Sequence, residues 1–193
     1  FTTVWVAWEM TEEIRSGTMN MRLLRPLHPI LPHMVSHLAS IPLRGLIVIP
    51  IAAALLIWVE PSALVHSPAG LAATALSIVG AWFIAFGIQA CVGCAAFFFQ
   101  SAHILARLYF ALFLVFSGYI LPLQLFPSWL QTATYYLPFR YQLALPVDLA
   151  LARLQLSDAL PHLVAQWVWI AIVWTALSFM WQRGIRRYEA FGA

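Results

Sequence analysis

The stretch LAATALSIVGAWFIAFGIQACVGCAAFFF, Leu71 to Phe99, holds no charged residue in 29 positions. At about 1.5 Å per residue, a helix of that length runs roughly 43 Å. The hydrocarbon core of a bilayer is only about 30 Å thick. The segment therefore reads as a transmembrane helix that tilts strongly or protrudes. Three further apolar stretches lie on either side of it: Leu43–Val59, Ile104–Leu121 and Leu163–Trp181. Across the chain 63% of residues are hydrophobic and 9% charged, against about 25% charged in soluble domains. One polytopic membrane domain is the reading that this composition allows.

The ten basic residues are all arginines and fall at alternate ends of these stretches. Arg15, Arg22, Arg25, Arg44, Arg107, Arg183, Arg186 and Arg187 lie on one side of the implied topology, and only Arg140 and Arg153 on the other. Basic residues favour the cytoplasmic side, so the C-terminus is expected in the cytoplasm. Scattered over loops in this way, the arginines do not form a nucleic-acid surface. Phe1–Trp8 reads as the tail of a partial span whose start lies upstream, with no signal peptide visible.

Between that tail and the first complete span runs the most polar part of the chain, from Glu9 to Arg25. Acidic Glu9, Glu12 and Glu13 precede basic Arg15, Arg22 and Arg25, an order that suits a helix dipole. Thr11 is the expected cap of a short helix that Gly17 ends, and Met19–Leu24 the expected second turn before Pro26. His28–His33 reads as a proline-broken connector, and His33 and His37, four apart, share a helical face. Two histidines without further ligands read as an interfacial amphipathic stretch rather than a metal site. Arg44 marks the inner end of Leu43–Val59, Pro50 is a candidate kink, and Glu60-Pro61-Ser62 closes that span outside. The short loop Gln100–His103 lies inside.

Region 123–162 is too broken to span. Ser128 is expected to cap a helix with the body Trp129–Leu137, ended by Pro138. Phe139–Leu145 then runs into Pro146. Ten residues cover about 15 Å, half a bilayer. The two pieces read as a re-entrant hairpin from the outer side, its broken backbone shielded by other helices. Lying flat at the interface is the alternative. Trp129, Tyr135, Tyr136 and Tyr141 suit an interfacial aromatic belt. Arg140 is placed to attract anionic headgroups or to pair with Asp148.

No phosphate-binding GxxxxGK[ST], HExxH, GxSxG or EF-hand loop occurs. The spans hold no Asp or Glu within them, and Gln89, Ser77 and Thr175 are the polar groups at depth considered for an intramembrane enzyme. Ion-coupled carriers keep intramembrane ionisable groups, so a self-powered transporter is disfavoured. Cys91 and Cys94 have redox spacing but no polar surroundings to stabilise a thiolate. Gly87, Cys91 and Ala95 instead form a small-residue stripe for close helix packing.

Three segments carry a family resemblance: EIRSG at Glu13–Gly17 with LLRPL at Leu23–Leu27; SGYILPL at Ser117–Leu123 through FPSWL at Phe126–Leu130 and LPFRY at Leu137–Tyr141; and the tail GIRRYEAFGA at Gly184–Ala193. The chain resembles ABC-2 type permease subunits, the bacterial ABC-2 family transporter proteins, similar to type V exporters. Such permeases typically have six transmembrane helices, so the resemblance implies that the first and most of the second are missing here. It implies an all-α polytopic bundle: a partial span at 1–8, a cytoplasmic coupling region at 9–40, and three spans at 41–122. An extracytoplasmic or re-entrant region at 123–162, a last span at 163–182 and a tail at 183–193 complete it, making four complete spans. It assigns Glu9, Glu12, Glu13, Ile14, Arg15, Gly17 and Arg22 to ATPase coupling. It assigns Phe126, Pro127, Trp129, Pro138, Phe139, Arg140 and Tyr141 to the outer gate. The implied partners are an ABC ATPase that binds ATP and Mg, a second permease subunit (identical or not) and membrane lipids. The implied location is the bacterial inner membrane, and the implied activity export of a hydrophobic or amphipathic compound. A membrane scaffold and an intramembrane enzyme are the rival readings.

Overall fold

A computed structural model describes residues 4–59, 67–99 and 102–191. Among these, eight α-helices and three short 3-10 turns occur and no strand. The helices are α1 Val4–Arg15, α2 Met19–Leu23, α3 Ile30–Val59, α4 Pro68–Cys94, α5 Ala102–Phe116, α6 Ser128–Tyr135, α7 Ala144–Ala150 and α8 Leu156–Phe191. By length and apolar composition three can cross a membrane, at Ile30–Ile51, Pro68–Phe97 and Ser157–Tyr188. The expected outer turn at Glu60-Pro61-Ser62 and the inner-loop residues Gln100 and Ser101 lie outside the described residues.

The central helix is α4. Ser67 caps it, its hydroxyl accepting from the Gly70 amide at 3.1 Å, with Pro68 at the first helical position. Both choices match what a helix start needs: an oxygen for an orphan amide and a residue with no amide to orphan. Small residues let α8 approach. A Cβ added at Gly87 would lie 2.6 Å from Val173 Cγ1, and one at Gly80 would lie 2.8 Å from the Gln166 side chain. Of the expected packing stripe, Gly87 and Cys91 do face α8, the Cys91 thiol lying 3.8 Å from the Val173 carbonyl oxygen. Ala95 falls in the 3-10 turn that follows and is buried there.

Several expected boundaries are corrected by packing. The partial span and the acidic run are one helix, α1, and Thr11 is inside it, donating to the Ala7 carbonyl at 2.7 Å rather than capping. Val6, Met10 and Ile14 recur every four residues and are all buried. That stripe carries the helix through the glutamates, because burying an apolar face outweighs local capping preference. Gly17 does end this region, at φ +78°.

The supposed connector before Leu43 is the beginning of α3, which starts at Ile30. Pro32 sits in its first turn, where a missing amide costs nothing. Pro42 and Pro50 lie within the helix without ending it. Helix α5 stops at Phe116 rather than Leu121, and Gly118 turns the chain at φ +84°. Its 15 residues reach only about 22 Å, so among the described residues three helices, rather than the expected four, are long enough to cross. Helix α6 starts at Ser128 after a Pro127 cap, so Ser128 does not cap it, and it ends at Tyr135. Pro146 does not end a segment but occupies the third position of α7. The helix that contains the last expected span begins at Leu156 and runs 36 residues through the arginine tail. Gly184 permits this continuation, because Phe97 packs where its Cβ would be.

Two apolar clusters stack along the bundle. One joins α1, α2, α4 and α8 through Met10, Met19, Phe86, Phe97, Leu177 and Trp181. The other seats Tyr141, Leu145 and Leu149 against Ile84 of α4 and Leu163 of α8. The structure thus has an arginine-rich end built on α1 and α2 and, opposite, a hairpin end built on α6 and α7.

Candidate functional site

At the arginine-rich end the expected coupling residues divide by role. Ile14 is buried in the core, and Gly17 lies in the turn, 3.9 Å from the Tyr188 hydroxyl measured from an added Cβ. Glu13 pairs with Arg22 and also lies 3.2 Å from His33 Nε2, while Glu9 lies 3.3 Å from His33 Nδ1. His33 is only 3% exposed and thereby ties α3 to α1. Its two ring nitrogens face different carboxylates, so the three groups do not converge on one point, and no metal cluster forms among the described residues. Glu12 and Arg15 point outward and are exposed. Arg15 in the last turn of α1 complements the helix dipole.

From this cluster an aromatic chain leads into the bundle. The Trp82 indole donates to His37 Nδ1 at 2.7 Å. Trp82 stacks on Phe86 with centroids 5.3 Å apart, and Phe86 stacks on Trp174 at 6.2 Å. Helices α3, α4 and α8 are therefore linked by flat side chains with few internal rotations. Beside this chain a cleft of about 350 Å³ opens between α3 and α8, lined by His28, Met34, Trp174 and Trp181 among others.

At the hairpin end the expected gate residues also divide. Phe139 and Tyr141 are buried, whereas Trp129 is 70% exposed. Phe126 and Pro138 are half-buried and Pro127 exposed. The Tyr141 hydroxyl donates to the Tyr135 carbonyl at 2.7 Å, and the Tyr109 hydroxyl donates to Gln142 Oε1 at 2.7 Å. The anchor is Gln166, fully buried, whose amide donates to the carbonyls of Ser77 and Tyr141, both at 2.9 Å. Sequence reasoning passed over Gln166 and weighed Thr175, which is exposed and bonds its own helix at Ala171. A polar side chain flanked by apolar residues on a long helix was the available signal.

A second cleft, of about 290 Å³, lies within this hairpin end. Ser117, Tyr135, Arg140, Asp148 and Arg153 are among its walls. The Arg140 guanidinium lies over the Tyr135 ring, 4.0 Å from its centroid, and makes no ion pair with Asp148 among the described residues. The expected Arg140–Asp148 pair is thus replaced by a cation–π contact. Burial pushes the Asp148 carboxyl above its usual range, although Arg140, Arg153 and His162 each pull it down.

A family model described as ABC-2 family transporter protein matches residues 1–192. No curated protein and no solved structure matches the chain.

Proposed function

The chain belongs to the ABC-2 family of transporter proteins, a membrane permease component of an ABC transporter, and we propose that it moves a hydrophobic or amphipathic compound outward. The match over residues 1–192 carries this reading. A separate ATPase subunit supplies the energy, holding ATP and Mg at its own site, and a second permease subunit completes the pathway. The arginine-rich end faces the cytoplasm of a bacterium and receives the ATPase, as the excess of arginines there supports. Glu12 and Arg15 form the docking face, because Glu9, Glu13 and Arg22 are already engaged within the chain.

Displacement of α1 has two routes into the spans. Met10 sits against Gly93 of α4, where an added Cβ would lie 2.7 Å from Met10 Cβ. His33 passes the same displacement to α3 through Glu9 and Glu13. A contact that differs between two ATPase states then shifts the balance between two arrangements of the helices. The cleft between α3 and α8 is lined mostly by apolar side chains, with His28, Ser178 and Gln182 as its polar members, a lining suited to an amphipathic molecule.

Co-purification with the ATPase subunit tests the docking face. Glu12→Ala with Arg15→Ala is expected to abolish association while membrane insertion is kept. Retained association, or labelling of a cysteine placed at Glu12 only from outside the cell, would overturn the reading.

A further inference from the structure

The cleft between α3 and α8 is polar at one end only. Its inner part is walled by Met34, Trp174 and Leu177, and the polar groups there are already engaged. The Trp174 indole donates to the Phe83 carbonyl at 3.2 Å, and the Ser178 hydroxyl donates to the Trp174 carbonyl at 2.9 Å. At the arginine-rich end the walls are His28 and Gln182, both exposed. The Ile30 amide donates to His28 Nδ1 at 3.3 Å, so the neutral ring carries its hydrogen on Nε2. Burial pushes the His28 pKa down, which favours that neutral form. Neither Nε2 nor the Gln182 amide has a hydrogen-bond partner among the described residues. The rim thus offers a donor from His28, and a donor and an acceptor from Gln182. About 12 Å of helix separates Trp174 from Gln182.

Charge and size narrow the occupant. No charged side chain lines the cleft. Arg183 follows Gln182, but its guanidinium lies over the Phe179 ring, 3.9 Å from the centroid. An ion inside would lose its water without gaining a counter-charge, which costs several kcal/mol. The volume of about 350 Å³ is at the low end of the roughly 300–1,000 Å³ of small-molecule sites. It suits one chain rather than a two-chain lipid. Leu31, on the wall, is 44% exposed, and Val35, one turn on, is 64% exposed. On a helix long and apolar enough to cross a bilayer, that exposure turns the mouth toward lipid. We propose that this cleft binds an uncharged single-chain amphiphile admitted sideways from the bilayer. Its tail lies along Met34 and Trp174, and its hydroxyl or ester oxygens meet His28 and Gln182. Calling that ligand the cargo rests on the outward transport proposed above, whereas the site itself does not.

The test uses the full chain in dioleoylphosphatidylcholine nanodiscs, with monodecanoylglycerol carrying a diazirine on its chain as probe. Cross-linked residues are read by peptide mass spectrometry, and affinity by competition with unlabelled monodecanoylglycerol. Labelling is expected within 30–34 and 174–182. Decanoate and decyltrimethylammonium are expected to compete about tenfold more weakly or worse. His28→Phe keeps a ring beside Trp181, where the centroids are 5.0 Å apart, but removes the donor. It is expected to weaken binding about fivefold, and Gln182→Leu about threefold. Ser178→Phe fills the cleft and is expected to abolish labelling. Leu31→Trp narrows the mouth and carries the test if Ser178→Phe does not insert. Labelling that survives these two variants, or that spreads evenly over the long helices, is partition into bulk lipid and would overturn the site. Equal competition by either ion would overturn the uncharged class. No effect of either His28→Phe or Gln182→Leu would overturn the placement of the head. Glu12→Ala with Arg15→Ala is expected to leave labelling unchanged, so failure of ATPase docking and failure of this site are read separately.

Discussion

The two ends of the bundle solve the same problem with different chemistry. Each must hold a short piece of chain against the long helices α4 and α8. At the arginine-rich end the piece is α1 with α2, and charged groups help hold it: Glu9 and Glu13 around His33, with Arg22 on Glu13. At the hairpin end it is the chain around α6 and α7, held by neutral groups: Gln166 on the Tyr141 carbonyl and Tyr109 on Gln142. Solvent explains the difference. Glu9 and Arg22 are partly exposed, so water offsets much of the cost of keeping them charged. A charge at the position of Gln166, where no solvent reaches, would cost several kcal/mol of desolvation. The comparison teaches that one end is sensitive to ions, while the other is set by packing.

The largest expected effect removes the common support of both ends. Gly87→Leu would push α8 off α4, since even a Cβ there lies 2.6 Å from Val173. We expect a loss of about 3 kcal/mol, seen as a collapse of folded yield in size-exclusion chromatography, with both ends disturbed. Gln166→Leu should break only the hairpin end. Leaving the Tyr141 carbonyl without its donor is expected to cost about 2 kcal/mol, read as a lower midpoint of thermal unfolding in detergent. That loss should be the same at low and high salt.

Glu13→Gln should break only the arginine-rich end and cost about 1 kcal/mol, because its pair with Arg22 is partly exposed and screened. Here the penalty should shrink as salt rises. A penalty indifferent to salt would erase the contrast between the two ends. The smallest effect sharpens it. Glu12→Ala with Arg15→Ala should change stability by under about 0.5 kcal/mol, since both side chains are exposed, even where association with the ATPase is lost.

The long helices were legible because hydropathy over twenty or thirty residues is a property of the segment itself. Their ends were less so. The glutamates of α1 hid the Val6–Met10–Ile14 stripe that α4 covers. The prolines at 29 and 32 looked like breakers yet fall at a helix start. Charge and likeness selected the candidate site residues, but their division into engaged and outward groups was not legible. Glu12 and Glu13 are neighbours in sequence, and only the position of His33 and Arg22 makes one of them a partner and leaves the other exposed.

Helix α3 and helix α4 mark the limit most plainly. Their sequences are alike in length and apolar character, yet half of the apolar window of α4 is buried and only 6% of that of α3. By itself the sequence determined that the chain crosses a bilayer, which end carries the positive charge, and that the region after α5 is too broken to span. The tertiary structure alone decided which long helix is central, that Gln166 anchors the hairpin, and that Arg140 lies over the Tyr135 ring rather than on Asp148. The reason is physical: transfer into lipid sums over neighbours along the chain, whereas a polar atom's partner is fixed by residues tens of positions away.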